Sequence, residues 1–194
     1  MEFTKSLIKG KLIKRYKRFF IDVKLDKEII TAHCPNTGSM EGLLGEGNEV
    51  FISKNDDPKR KLKYTLEIIK VKKNLVGVNT HFANKIAYHG LSNNLIKEVS
   101  NFDTIKPEVY FDKETRFDFL VEKKKQKIFV EVKNVTLFRD EKIAEFPDSI
   151  TTRGSKHLKT LITAIKNGYK SYLLFLVQIE GVENFKIAKD IDKE

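Results

Sequence analysis

Asp118, Glu131 and Lys133 are the residues whose types and spacing could do chemistry. Arg116-Phe117-Asp118-Phe119-Leu120-Val121 and Ile128-Phe129-Val130-Glu131-Val132-Lys133 read as two strands joined by the polar turn Glu122 to Gln126. Side chains alternate along a strand, so Glu131 and Lys133 share one face while Val130 and Val132 take the other. Asp118 lies between two phenylalanines, at a strand position that ordinarily favours a core residue. Two carboxylates and a lysine on one sheet surface suit a metal ion and a phosphate. The competing reading is a cross-strand ion pair, because Lys and Glu are frequent in this chain and Glu-x-Lys alone is weak.

The elements that must carry these residues follow from the pattern on either side. Residues 3–80 read as short strands and turns: Leu7 to Ile13, Phe19 to Val23, Leu25 to Cys34, Asn48 to Ser53, Tyr64 to Lys70 and Leu75 to Asn79. Strands at this spacing suggest a small barrel, of the OB type or an SH3-like alternative. Pro35-Asn36-Thr37-Gly38-Ser39 lacks the lysine of a P-loop and reads as a structural loop. From Phe82 the pattern becomes α/β. A helix is expected over Leu91 to Asn101 with Ser92 as N-cap, then a strand at Glu108 to Phe111 and the two strands above. Thr136 to Ser149 reads as a polar connection. A helix over Ser155 to Asn167 follows, its apolar face set by Leu158, Leu161, Ile162 and Ile165 and its end by Gly168. The apolar run Leu173 to Val177 reads as a central strand beside the second or third strand. The expected division is therefore residues 1–81 and 82–194.

Composition bounds the function. The chain has 194 residues, 40% of them apolar, and a net charge of +10. Residues 1–81 carry +7 of that excess and residues 82–194 carry +3. Lys5, Lys9, Lys11, Lys14, Arg15, Lys17 and Arg18 crowd the N-terminus, which points to a polyanion, nucleic acid first. The competing reading is a soluble basic surface from biased composition, since only 6 of the 37 cations are Arg. No apolar run is long enough to span a membrane, no secretory signal is apparent, and Cys34 is the single cysteine, so a cytoplasmic location is expected. The histidines show no metal-ligand spacing, and no helix-turn-helix is evident.

The order helix, three strands, helix, strand, with Asp on the second strand and Glu-x-Lys on the third, resembles the PD-(D/E)xK nuclease fold. In such a site Asp118, Glu131 and the carbonyl of Val132 would offer oxygens to Mg²⁺ or Mn²⁺, and Lys133 would orient a water or stabilise the pentavalent state. The resemblance also implies a glutamate from the first helix, for which Glu98 is the candidate. Arg153, Lys156 and His157 open the second helix and could contact phosphate, with plain helix-end solvation as the alternative.

Longer motifs are more specific. His33-Cys34-Pro35-Asn36-Thr37-Gly38-Ser39-Met40, Gly77-Val78-Asn79-Thr80, Arg116-Phe117-Asp118-Phe119, Val130 to Leu137 and Phe146 to Leu158 resemble the sugar fermentation stimulation protein A family across nearly the whole chain. The resemblance implies an N-terminal OB-fold barrel, a C-terminal PD-(D/E)xK-like α/β domain, a prokaryotic cytoplasmic setting and a DNA partner. It also implies further sequence beyond Glu194. The expected function is a DNA-binding protein with a Mg²⁺-dependent nuclease-type site built on Asp118, Glu131 and Lys133. The alternative is a non-catalytic DNA-binding regulator of sugar (maltose) metabolism. Lys9, Lys11, Lys14, Arg15, Lys17, Arg18, Arg153, Lys156 and His157 are the expected nucleic-acid contacts. The oligomeric state stays open, a homodimer included.

Overall fold

The computed structural model of the chain describes residue 3 and residues 6–193; Glu2 and Lys5 lie outside them. The described residues fall into two compact units: those up to His81 with Val135–Ile150 and Val177–Lys193, and Phe82–Asn134 with Thr151–Leu176. The expected boundary after residue 81 is one point where the chain passes from one unit to the other. Two later segments return to the first unit.

In the first unit β1 (Ile8–Tyr16), β2 (Phe20–Lys24), β3 (Ile29–His33), β4 (Glu49–Lys54), β5 (Tyr64–Val71) and β6 (Asn74–Gly77) form one sheet in the order β3-β2-β1-β4-β5-β6. A parallel pairing of His33 with Thr65 joins β3 to β5 and closes β1–β5 into a five-stranded OB-like barrel, as the strand spacing suggested. Alternation points Leu12, Ile21, Val23, Val50 and Ile52 inward, and an irregularity between β4 and β5 lets both Leu66 and Ile69 join them; all are essentially inaccessible. Gly10 is needed where β1 crosses β2: a Cβ there would sit 2.5 Å from Val23 Cγ1.

Thr136 to Ser149 is not a plain connection. It holds β10 (Leu137–Asp140) and β11 (Ile143–Phe146), which join β13 (Asn184–Ile187) in a second sheet of the first unit. Its charges are accounted for at the surface, with Arg139 bridging Glu145 and Asp190, while Leu137, Phe138 and Ala144 are buried. Short strands with only three core residues leave little periodicity to detect.

The second unit is a sheet of β7 (Thr104–Tyr110), β8 (Arg116–Lys123), β9 (Gln126–Val135) and β12 (Lys170–Val177) in the order β12-β9-β8-β7, with α1 (Ala83–Ser92) and α2 (Thr152–Lys166). Phe119, Val121, Ile128, Val130 and Val132 pack with Ala87 and Leu91 of α1. Leu120 and Phe129 pack with Leu161 and Ala164 of α2. Each helix thus covers its own set of sheet side chains.

Three sequence readings change here. The first helix spans 83–92, and residues 97–99 form only a 3-10 turn. Ala83, Ala87 and Leu91 give α1 its buried stripe, whereas Asn94 and Asn101 adopt positive φ (both 56°) and interrupt any continuation. Ser92 therefore ends the helix instead of capping its start. The second helix begins earlier than Ser155 because Thr151 caps it, its Oγ1 accepting from Gly154 N at 3.1 Å, and Gly168 (φ 84°) follows its end as expected. Its buried residues are His157, Leu161 and Ala164, so Leu158, Ile162 and Ile165 face outward. Finally, β12 takes its place beside β9 but at the edge of the sheet. It reads as a continuous apolar run because Tyr172, Leu174 and Leu176 pack with the α1 cluster and Tyr169 and Leu173, on the way in and within it, with the α2 cluster.

Candidate metal and phosphate site

The antiparallel ladder of β8 and β9 pairs Phe119 with Val130; Asp118 comes one residue before Phe119 and Glu131 one residue after Val130. Asp118 is half-buried and held at both oxygens. Oδ1 accepts from Asn84 Nδ2 of α1 and Oδ2 from the backbone N–H of Val132, each at 2.7 Å. Burial, and then the charge of Glu131, push the Asp118 carboxyl above its ordinary value, against the pull of those two hydrogen bonds.

Glu131 is only 3% exposed. Lys133 Nζ donates to its Oε1 at 2.7 Å, and His157 Nδ1 of α2 meets the same oxygen. Arg153 Nε–H can only donate, and it lies 3.4 Å from His157 Nε2. That places the acceptor lone pair of the imidazole on Nε2 and its proton on Nδ1, toward Glu131. Glu131 Oε2, by contrast, is buried without a hydrogen-bond partner. A desolvated carboxylate oxygen in that state is costly unless something positive reaches it.

This donor set fits a divalent cation with oxygen ligands. Among the described residues no group of three or more His, Cys, Asp or Glu side chains converges as a ligand cage. An ion here would therefore rest on two carboxylates, backbone oxygen and water, the sparse coordination that Mg²⁺ accepts.

The structure thus brings Asp118, Glu131, Val132 and Lys133 together. It adds Asn84, which no spacing in the sequence marks, and it reassigns His157 from a surface phosphate contact to a buried partner of Glu131. Glu98 sits exposed on the 3-10 turn, off the helix that was expected to carry it; the helical residue at the site is Asn84. Lys156 is exposed and paired with Glu114 at 2.6 Å.

The remaining expected nucleic-acid contacts belong to the first unit. Lys9 pairs with Glu49 at 2.5 Å, Lys11 lies 3.9 Å from the same carboxylate, and Lys14 sits over the Tyr16 ring. Lys17 and Arg18 are exposed in the β1–β2 turn with positive φ. Arg15 is a structural clamp, donating to the carbonyls of Asn36 (2.7 Å), Gly38 (2.9 Å) and Ser39 (3.2 Å). Those bonds, with Gly38 N–H donated to Asn36 Oδ1, occupy the Pro35–Ser39 loop internally.

An OB-like barrel and an α/β unit with an Asp on its second strand and a Glu-x-Lys on its third define a two-part class of protein. Comparison with known proteins places it more closely. Residues 13–78 match the family described as "SfsA N-terminal OB domain", and residues 81–194 match "Sugar fermentation stimulation protein RE domain". The chain is 86% identical over 194 residues to the sugar fermentation stimulation protein homolog of Pelagibacter ubique (strain HTCC1062), covering 100% of this chain and 84% of that relative. It is 43% identical to the homolog of Maricaulis maris (strain MCS10), covering 99% of this chain and 83% of that one. A solved structure, Pyrococcus furiosus SfsA in complex with Ca²⁺, superimposes with a TM-score of 0.87 at 26% identity, over 100% of this chain and 81% of that chain. The chain belongs to the sugar fermentation stimulation protein (SfsA) family. No helix among the described residues is long and apolar enough to cross a membrane.

Proposed function

We propose that this protein binds DNA and that its second unit carries a divalent-metal-dependent, nuclease-type site for phosphodiesters. The observation that carries the reading is the buried, unpartnered Glu131 Oε2 beside the desolvated Asp118. Two carboxylates held in low dielectric repel one another, and a cation between them relieves both charges. That the Pyrococcus furiosus relative was solved with Ca²⁺ supports a site for a hard, oxygen-seeking cation.

Each residue then has a part. Asn84 and the Val132 N–H each hold one oxygen of Asp118 and fix the carboxylate's orientation. His157 and Lys133 hold Glu131 Oε1 and leave Oε2 for the ion. Mg²⁺ or Mn²⁺, when bound, would lower the pKa of a water and offset charge on the phosphate. Lys133, which the structure shows paired with Glu131, would stabilise charge that develops on the phosphoryl oxygens. A cytoplasmic location and the basic N-terminal strand as a phosphate-backbone grip complete the reading.

A non-catalytic DNA-binding regulator of sugar metabolism is the second reading, of which the printed family name, sugar fermentation stimulation, supports only the link to sugar metabolism. One experiment separates them: the full chain is incubated with plasmid, duplex and single-stranded DNA in Mg²⁺, Mn²⁺ or EDTA, beside Glu131→Gln. The nuclease reading expects cutting that needs metal and falls at least about 100-fold in the variant, the scale of losing a transition-state electrostatic group. Cutting that persists in Glu131→Gln, or no cutting in any metal, overturns it.

A further inference from the structure

Next to the carboxylates the second unit has a groove whose lining includes a group that phosphate chemistry does not call for. A cavity of about 520 Å³ opens between the end of β7 and the start of α2, lined by Tyr110, Arg116, Arg153, Lys156, Glu114 and His157 among others. It lies within the range of small-ligand sites, roughly 300–1,000 Å³. His157 connects it to Glu131. Tyr110 is 67% exposed, and the Arg116 guanidinium sits 5.8 Å from its ring centroid. A second recess of about 360 Å³ continues along α2, sharing Thr152 and Lys156 with the first and adding Lys159 and three more hydroxyl side chains.

The two recesses form a strip of cations and hydroxyls that ends at an exposed aromatic ring. Lys and Arg are the usual donors to phosphate and carry no base information, whereas the Thr160 and Thr163 hydroxyls are spent on the carbonyls of Lys156 and Lys159. An aromatic ring beside an arginine is the usual platform for an unpaired base. A duplex keeps its bases stacked inside and would engage the strip but not the ring.

We infer that this groove binds a single-stranded nucleic-acid segment, one unpaired base stacking on Tyr110 and the adjoining phosphates lying on Arg153, Lys156 and Lys159. The inference rests on the phosphodiester reading of the neighbouring site and names the form of its substrate. Glu114 guards the rim: it holds Lys156 by an ion pair that an incoming phosphate must replace.

The test measures binding of fluorescent oligo-dT, oligo-rU and a duplex of equal length to the full chain by anisotropy, in EDTA so that cleavage plays no part. Tyr110→Ala is expected to weaken single-strand binding about tenfold, the scale of one lost base–aromatic stack. Tyr110→Phe should bind as the wild type, and the duplex should change less than about twofold, since backbone contacts are untouched. Glu114→Gln should tighten single-strand binding. A larger loss on oligo-dT assigns DNA and on oligo-rU assigns RNA, and either supports the groove. Unchanged single-strand binding by Tyr110→Ala, or equal loss on single strand and duplex, overturns it; far-UV circular dichroism of the variant excludes misfolding as the source. If the wild type cuts with metal while Tyr110→Ala binds normally, the groove alone is refuted. If the Tyr110 effect is seen in a protein that never cuts, the nuclease reading alone is refuted.

Discussion

Glu131 offers the sharpest energetic test of the site. It is 3% exposed, and its Oε1 is held by Lys133 at 2.7 Å and by His157. Lys133→Met keeps most of the lysine stem, and His157→Leu fills the buried position with an apolar side chain. Each removes one charge-assisted hydrogen bond and is expected to cost about 1.5–3 kcal/mol of stability. The double variant strips the last donor from a carboxylate whose other oxygen already has none. Its loss should exceed the sum of the singles by about 1–2 kcal/mol, within the coupling range of residues sharing one network. Adding Glu131→Met to the double removes the stranded charge, and stability should return to about the wild-type level or above it, as when buried ion pairs give way to apolar side chains. The chain has no tryptophan, so urea unfolding is followed by far-UV circular dichroism, at neutral pH in EDTA. Additivity of the singles within about 0.5 kcal/mol, or a triple variant as unstable as the double, would refute the argument that Glu131 is a desolvated charge held by two donors.

Two further outcomes follow from neighbouring groups. Because the folded Asp118 carboxyl titrates above its unfolded value, it contributes stability that is fully present below the unfolded value of about 3.9 and is lost as pH rises through the folded value. Asp118→Asn can keep both hydrogen bonds if the Asn84 amide turns over, so in EDTA it should be more stable than wild type at neutral pH and not in acid; a gain independent of pH in thermal melts would count against that assignment. In the first unit a Cβ on Gly38 would lie 1.7 Å from Asp148 Oδ2. Gly38→Ala should therefore cost about 1–3 kcal/mol by overpacking, and much of that should disappear in an Asp148→Ala background; equal losses in both backgrounds would show the clash is elsewhere.

The parts of the fold that could be read from the sequence are those where one physical signal dominates. The barrel strands alternate except at the irregularities in β1 and between β4 and β5, and β8 and β9 are set apart by a polar stretch of which only Lys124 and Lys125 form the turn, while Glu122, Lys123 and Gln126 extend the strands. Glu131 and Lys133 stand out because two-residue spacing puts them on one face. What escaped notice depends on tertiary contact. Asn84 has no local mark: it matters only because α1 lies where its amide reaches Asp118. His157 looked like a helix-end cation, yet its position on the buried stripe of α2 turns it to Glu131. The first helix was displaced because Ala83 and Ala87 are weak hydrophobic signals, while Leu95, which looked like core, is 69% exposed. Arg15 is indistinguishable in sequence from its basic neighbours, because the shape of a loop more than twenty residues away decides its role.

The parallel pairing of β11 with β13 has a consequence for the nascent chain. Ile143 pairs with Asn184 and Phe146 with Ile187. At a synthesis rate of roughly 5–20 residues per second, the β11 edge waits about 2–8 s for its partner. The barrel meets no such delay, since every strand in its closed ring has been made once Val71 has emerged. Within one unit, then, synthesis supplies the strands of the two sheets at different times. The β11 edge that waits for β13 is only four residues long and carries Glu145, and a short, charged edge discourages pairing with another chain in the interval.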